Sequence, residues 1–201
     1  MSTPTIAISG IAGSFSEEAA KKYLEQAKIA YNPIYCTTAL DTFKQVINGK
    51  SLYGVVPIEN SVGGMVYETL YAMADFTFEI IDIIQVDVQQ NLLAIPGQTL
   101  KNITQVVSHP QALAQCRHYL KRHWTDTAIG EYADTALAAR DLRAGKLSDD
   151  TAVIASAGAA KLYDLDILEP HIQDLKFNTT AFLVFCAKPS EKPSSSAIII
   201  P

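Results

Sequence analysis

The order in which apolar segments and helical patterns follow one another constrains the fold of this chain more than any other feature. TIAISG predicts a buried strand, SFSEEAAKKYLEQA an amphipathic helix, and IYCTT a second strand before the helical pattern ALDTFKQVINGK. YGVVPIE predicts a third strand. Strands that alternate with helices in this way are typical of a mostly parallel sheet covered by helices.

One long segment, FEIIDIIQVDVQQNLLAIPG, interrupts this alternation. It is rich in Ile and Val and too interrupted by charge for a buried helix, so we expect two extended segments that leave one lobe and enter another. The alternation then resumes, with one continuous helix predicted at ALAQCRHYLKRHW, and the final apolar strand AFLVFCA is expected to return to the first lobe. The predicted fold class is therefore α/β, with two lobes, mostly parallel sheets and a cleft between the lobes. Lobe one covers about residues 3–85 and 176–189, and lobe two about 90–172.

Composition excludes several classes of protein. Hydrophobic residues make up 48% of the 201 residues and charged residues 18%, which supports a sizeable core. The net charge of -5 argues against a nucleic-acid partner. Three cysteines without paired spacing predict neither a disulfide framework nor a zinc site. We see no signal peptide and no apolar run of the roughly 18 to 20 residues that span a membrane, so we expect a cytoplasmic protein without a membrane partner.

Short polar motifs follow the predicted strands. Ligands in open α/β sheets bind at the carboxyl ends of strands, near helix N-termini, so these motifs are the candidate site. Asn60, Ser61 and Thr135 are also expected to cap helices. No metal-ligand cluster, nucleotide loop or pyridoxal lysine context is visible, and we predict no cofactor. The candidate residues are Ser14, Phe15, Glu59, Asn60, Ser61, Gly64, Ser108, His109, Gln111, Thr135, Asn178, Thr180 and Phe182.

The motifs GIAGSFSEEAA, VVPIENSVGGMV, VVSHPQALAQC, AVIASAGAAKLYDL and IQDLKFNTTAFLVF together resemble those of the prephenate dehydratases, over about residues 5–187. The resemblance implies a two-lobed fold similar to type 2 periplasmic binding proteins. It implies one catalytic domain at 1–189, followed by a tail at 190–201 without the regulatory ACT domain. It also implies prephenate, which carries two carboxylates, as the substrate, and it suggests a homodimer.

The same resemblance implies roles for the candidate residues. Thr180 matches the threonine to which the family's catalysis is attributed, Glu59 would orient the substrate or its hydroxyl, and His109 would donate a proton. The remaining candidates would bind substrate. Each has a plainer alternative: Glu59 as a helix cap, and His109 as a structural hydrogen bond at a strand end. We expect Gln115 to support the site from behind and Cys116 to lie in the core.

The departures from the family pattern decide between reactions. The family's Thr-Arg-Phe stands here as Thr180, Ala181 and Phe182, and the opening motif has Ile11 and Ser14 where proline and threonine are usual. These changes are similar to those in the prephenate decarboxylases of antibiotic and other secondary-metabolite pathways of the bacilysin and aeruginosin type. We therefore predict a lyase that removes carbon dioxide and keeps the ring hydroxyl. The alternatives are a dehydratase that gives phenylpyruvate and a non-catalytic protein that binds small anions.

Overall fold

The computed structural model describes residues 3–28, 30–124 and 128–188, so the predicted tail at 190–201 lies outside the described residues. The chain first builds one sheet and the helices that cover it. Their bounds are β1 Thr5–Ser9, α1 Phe15–Ala27, β2 Asn32–Cys36, α2 Ala39–Ile47, β3 Tyr53–Asn60, β4 Gly64–Met65, α3 Tyr67–Ala74 and β5 Phe78–Asp87.

The second half of the chain builds the other sheet and then returns to the first. Its elements are β6 Asn91–Ala94, a 3-10 turn at Leu100–Asn102, β7 Gln105–Ser108, α4 Pro110–Gln115, α5 Arg117–His123, β8 Ala128–Glu131, α6 Thr135–Arg143, β9 Thr151–Ala155, α7 Ala157–Leu162, β10 Asp166–Glu169 and β11 Thr179–Ala187. The predicted α/β class and two lobes are confirmed.

The two sheets are mixed rather than mostly parallel. The first has the order β2-β1-β3-β11-β5 with β4 paired to β3, and the second has the order β10-β6-β9-β7-β8. Within the described ranges, the parallel pairings are β1 with β2 and β3, and β7 with β8 and β9. The other pairings are antiparallel: β4 returns beside β3, and the remaining pairs involve β5, β6 or β11, which carry the chain between the lobes and back.

Strand β11 holds the first lobe together because both of its faces are buried. Phe182 and Val184 pack against α1 on one face of the sheet. Leu183 and Phe185 pack on the other face with Phe43 of α2. The rings of Phe43 and Phe185 stack with centroids 4.1 Å apart. A slip by one residue would turn each of these side chains to the opposite face, so packing fixes the register of β11. The same register positions Thr180.

Several local predictions were wrong. Asn60 and Ser61 start no helix, because β3 continues to Asn60 and a turn follows before β4. Asp134 caps α6 in place of Thr135, since the helix begins one residue earlier than predicted and the Asp134 carboxylate accepts from the backbone N–H of Leu137 at 2.8 Å.

The predicted helix ALAQCRHYLKRHW is divided at Cys116 into α4 and α5. Asp174 accepts from the backbone N–H groups of His118 and Tyr119, so a carboxylate from the returning chain caps a new helix start. Strand β10, which pairs antiparallel with β6, was not predicted. In the part of the chain that the model describes, no helix combines the length and apolar content that crossing a membrane requires.

Candidate active site

A cleft of about 580 Å³ lies between the two lobes. Its lobe-one wall comes from the β1–α1 loop, the end of β3 and the start of β11, and its lobe-two wall from the N-terminal ends of α4 and α6. The lining residues are Ser9, Gly10, Ile11, Ser14, Phe15, Ser16, Thr37, Pro57, Asn60, Val66, Glu68, Val88, Gln90, His109, Gln111, Ala112, Gln115, Ala133, Asp134, Thr135, Leu137, Arg140, Thr180 and Phe182.

The loop between β1 and α1 is fixed by a local exchange of hydrogen bonds. Ser14 caps α1 by accepting from the backbone N–H of Glu17, and Glu17 accepts from Gly13 N at 2.8 Å and from the Tyr35 hydroxyl at 2.7 Å. Burial alone would raise the pKa of Glu17, but hydrogen bonds from Gly13, Tyr35 and Lys21 outweigh it and lower the pKa. The carboxylate therefore stays charged and holds the loop at the rim of the cleft.

The second lobe is hydrogen-bonded to the same loop. Ser156 Oγ donates to the Gly13 carbonyl at 2.8 Å, and the Tyr163 hydroxyl donates to the Ala12 carbonyl at 2.7 Å. Gly13 has φ +84°, and a Cβ there would lie 3.1 Å from the backbone Cα of Ala159. A glycine is thus required both by the backbone conformation and by the close approach of the lobes.

Asn60, at the end of β3, joins the two lobes at the floor of the cleft. Its Oδ1 accepts from the backbone N–H groups of Val62 and Gly63, at 3.0 and 2.7 Å. Because two backbone N–H groups face this end of the amide, it is the oxygen end, and Nδ2 lies on the other side. Nδ2 donates to Asn178 Oδ1 at 2.8 Å and to Thr180 Oγ1 at 2.9 Å. This buried amide therefore fixes the orientation of the threonine.

Two glutamines connect this network to the second lobe. Gln115 Nε2 approaches Asn60 Oδ1 at 3.4 Å, and Gln115 Oε1 accepts from both Asn178 Nδ2 and Gln90 Nε2. Gln90 and Asn178 lie at the two crossings between the lobes, so the hinge and the floor of the cleft share one set of hydrogen bonds. Gln115 was predicted to stand behind the site, but it also lines the cleft.

His109 caps α4 at the opposite wall. Its Nδ1 accepts from the backbone N–H of Gln111 at 3.2 Å, which assigns the hydrogen of the neutral ring to Nε2. The side chain also lines the cleft, so the structural and the chemical interpretation of this residue are compatible.

The structure brings together eight of the thirteen candidate residues. Those that line the cleft are Ser14, Phe15, Asn60, His109, Gln111, Thr135, Thr180 and Phe182. Asn178 supports Asn60 from outside the lining, Ser108 is fully buried and donates to the Ile154 carbonyl, and Ser61 Oγ accepts from Thr179 N. Gly64 is exposed on β4, with nothing within 4 Å of a Cβ built there.

Glu59 and the position of the absent arginine both lie outside the cleft lining. Ala181 pairs with Glu59 across β3 and β11, whereas Thr180 pairs with Asn60. Successive residues of a strand point to opposite faces, so Thr180 and Phe182 face the cleft and Ala181 does not. Glu59 is exposed to solvent. Loss of the arginine therefore removes no positive charge from the lining itself.

Sequence reasoning missed the charged residues of the cleft, which are Glu68, Asp134 and Arg140. A signal was present for Arg140, because Asp134, Leu137 and Arg140 recur every third residue and so share one face of α6. No group of three or more His, Cys, Asp or Glu side chains suited to a metal ion occurs within residues 3–28, 30–124 and 128–188.

Comparison with known proteins places the chain in a family. The model of the prephenate dehydratase family matches residues 6–190. The prephenate dehydratase of Methanocaldococcus jannaschii is 38% identical over 88% of this chain and 62% of its own length. An arogenate dehydratase/prephenate dehydratase of Arabidopsis thaliana is 35% identical over 96% of this chain and 47% of its own.

A solved structure agrees with these relatives. The prephenate dehydratase of Arthrobacter aurescens, in complex with L-Phe, superposes with a TM-score of 0.81 at 29% identity. The alignment covers 94% of this chain and 61% of that one. The chain thus spans between about half and three fifths of the length of these relatives.

Proposed function

The chain belongs to the prephenate dehydratase family, and on that premise we propose that its cleft converts prephenate to phenylpyruvate. The observation that carries this proposal is the state of the Thr180 hydroxyl. Its oxygen accepts from Asn60 Nδ2, and among the described residues no acceptor is recorded for its own hydrogen. Thr180 lines the cleft, so the hydrogen of its hydroxyl can reach a bound molecule by rotation about the C–O bond.

The reaction needs a donor of this kind. The bond from the prephenate ring to its carboxylate breaks, carbon dioxide leaves, and the electron pair moves into the ring. The ring becomes aromatic as the bond to the hydroxyl oxygen breaks, and that oxygen leaves as water after taking one proton from solution. Hydroxide is a poor leaving group, so a hydrogen bond that strengthens as charge develops on it lowers the barrier. Thr180, polarised by Asn60, supplies that hydrogen bond.

Two other features support the proposal. The walls come from rigid elements, with the β1–α1 loop held from both lobes, which favours a fixed orientation of the ring. His109 lies on the opposite wall with the hydrogen of its neutral ring on Nε2, and so can donate a hydrogen bond to the ligand or to water in the cleft.

Product analysis tests the proposal. The purified protein is incubated with prephenate at neutral pH and the products are separated, with phenylpyruvate followed by its enol absorbance and by proton NMR. Phenylpyruvate formed at a rate that scales with enzyme concentration supports the dehydratase. Arogenate, with an amino group in place of the keto oxygen, serves as the parallel substrate, and phenylalanine would be its product.

Decarboxylation with the hydroxyl retained is a second candidate function. The observation that favours it is Ala181, where the family carries an arginine beside the catalytic threonine. In this reaction the proton is added to a ring carbon and the ring stays non-aromatic. A non-aromatic keto acid as the sole product would select this candidate. Prephenate that raises the melting temperature but is not consumed would instead indicate the anion-binding alternative.

A further inference from the structure

We propose that Arg140 binds the carboxylate on the three-carbon side chain of the substrate, the carboxylate that remains in the product. This inference rests on the proposed function only in that the ligand is prephenate. It holds for both candidate reactions, because both release the ring carboxylate as carbon dioxide and keep the other. It assigns a specificity-determining role to a residue outside the family motifs quoted above.

Arg140 is the one Lys or Arg side chain among the described residues that line the cleft. The two acidic residues of the lining are each engaged with backbone: Glu68 accepts from Ala39 N at 2.9 Å, and Asp134 caps α6. A dianionic ligand therefore meets two carboxylates that already accept from backbone donors and, in Arg140, one positively charged side chain. Burying such a ligand without a cationic partner would be costly, so Arg140 has to pair with one of its two carboxylates.

One hydrogen bond orients the guanidinium of Arg140 and leaves its terminal nitrogens for a ligand. Its Nε donates to Asp141 Oδ1 at 3.0 Å, and within the described part of the chain no hydrogen bond is recorded for its two terminal nitrogens. Asp141 also accepts from the Tyr132 hydroxyl and from Lys146 Nζ, so its position, and with it the anchor for Arg140 Nε, does not depend on Arg140 alone. A planar guanidinium with two terminal nitrogens available matches a carboxylate in bidentate geometry.

Chemistry decides which carboxylate it binds. A cation paired with the departing carboxylate stabilises a charge that disappears as carbon dioxide forms, and so stabilises the ground state more than the transition state. The same cation paired with the retained carboxylate stabilises the ground state and the transition state equally, so it does not lower kcat. Thr180 and Arg140 lie on opposite lobes, so a ligand that places its hydroxyl at Thr180 directs its other end, which carries both carboxylates, toward lobe two.

Phenylpyruvate isolates the proposed contact because it carries the retained carboxylate and lacks the other. We would measure its Kd by isothermal titration calorimetry for the wild type, Arg140→Gln, Arg140→Lys and the control Arg143→Gln. Arg143 lies on the same helix with the same 46% side-chain exposure, but it pairs with Asp164 outside the cleft. We expect Arg140→Gln to weaken binding about 10- to 100-fold, Arg140→Lys to weaken it less, and Arg143→Gln to leave it unchanged.

Steady-state kinetics with prephenate complete the test. In Arg140→Gln the KM for prephenate should rise by a similar factor while kcat changes less than about threefold, since uniform binding is lost. An active enzyme whose phenylpyruvate affinity does not depend on Arg140 overturns this inference and leaves the proposed function standing. A wild type that binds phenylpyruvate through Arg140 but does not consume prephenate upholds the inference and overturns the function. A wild type that does not bind phenylpyruvate overturns the inference.

Discussion

Ala181 lies directly opposite Glu59 in the β3–β11 ladder, and neither side chain lines the cleft. Cross-strand partners have Cβ atoms about 4.5–5.5 Å apart, which is within reach of an ion pair. An arginine at position 181, as in the family pattern, would therefore meet the Glu59 carboxylate on the side of the sheet away from the substrate. The effect of that arginine on catalysis would then be indirect, through the position of β11.

The first prediction follows from this pairing. Ala181→Arg should raise the free energy of unfolding by about 0.2–1 kcal/mol, because the pair it forms with Glu59 is exposed. Denaturant unfolding of Ala181→Arg, Glu59→Gln and the double variant gives the coupling energy. The gain should vanish in the Glu59→Gln background. An equal gain in both backgrounds would show that the new arginine makes other contacts.

The second prediction concerns Asn60, at the floor of the cleft. Asn60→Ala leaves Thr180 unoriented and removes partners from buried Asn178 and Gln115. We expect kcat/KM to fall about 10²- to 10³-fold, that is by about 3–4 kcal/mol of transition-state stabilisation. Asn102→Ala, at an exposed asparagine of the 3-10 turn that bonds only Thr99 among the described residues, is the control and should keep wild-type kinetics. Equal kinetics in the two variants would exclude Asn60 from the site.

The third prediction separates backbone strain from lobe contact. Gly13→Ala introduces a methyl group against the Ala159 backbone at φ +84°, whereas Gly49→Ala has φ +71° but nothing within 4 Å. Both should lose about 1–2 kcal/mol of stability from the left-handed conformation. Only Gly13→Ala should also raise the KM for prephenate, since the loop and the second lobe must move apart. A raised KM in Gly49→Ala as well would remove the link to lobe contact.

The fourth prediction is a pH dependence of stability. The folded-state pKa of Glu17 lies below its ordinary value of 4.5, because hydrogen bonds to the charged form outweigh the effect of burial. Glu17 thus contributes stability that is fully present above about pH 4.5 and is lost as the pH falls through the folded-state pKa.

Unfolding curves of the wild type and Glu17→Gln measured between pH 7 and pH 3 check this sign. The variant should be about 1–3 kcal/mol less stable at pH 7, and the difference should shrink in acid. Glu25→Gln, on an exposed turn of the same helix, should follow the wild type. A difference between the wild type and Glu17→Gln that stays constant down to pH 3 would contradict the assignment.

Much of the site was predictable from local pattern because polar residues at strand ends must meet where the strands end. Ser14 and His109 follow from this pattern, whereas the role of Thr180 follows from the resemblance to the family's Thr-Arg-Phe motif. The off-cleft position of Ala181 is also predictable in principle, since neighbours on a strand alternate faces, although the family motif lists the three residues together. The pairing of Asn60 with Thr180 joins residues 120 positions apart and depends on the antiparallel register of β11, which no local pattern fixes.

Other features depend on contacts that the sequence does not display. The division of the helix at Cys116 requires Asp174, which arrives from the returning chain more than fifty residues later. The mixed character of the sheets follows from the direction in which the crossing strands enter them. The sequence pattern of α6 predicts a helix that packs on the sheet, and it does not by itself show that Arg140 faces the cleft. The three-residue spacing from Asp134 does place Arg140 on the face that lines the cleft.

The central claim is that the Thr180 hydroxyl assists departure of the ring hydroxyl. The most direct measurement is kcat for phenylpyruvate formation by the wild type, Thr180→Ser and Thr180→Val. Valine keeps the shape and removes the donor, while Asn60 Nδ2 retains Asn178 as an acceptor. The account predicts that Thr180→Val loses about 10²- to 10⁴-fold in kcat with little change in KM, and that Thr180→Ser stays within about tenfold of the wild type. A Thr180→Val enzyme that forms phenylpyruvate at the wild-type rate would contradict it.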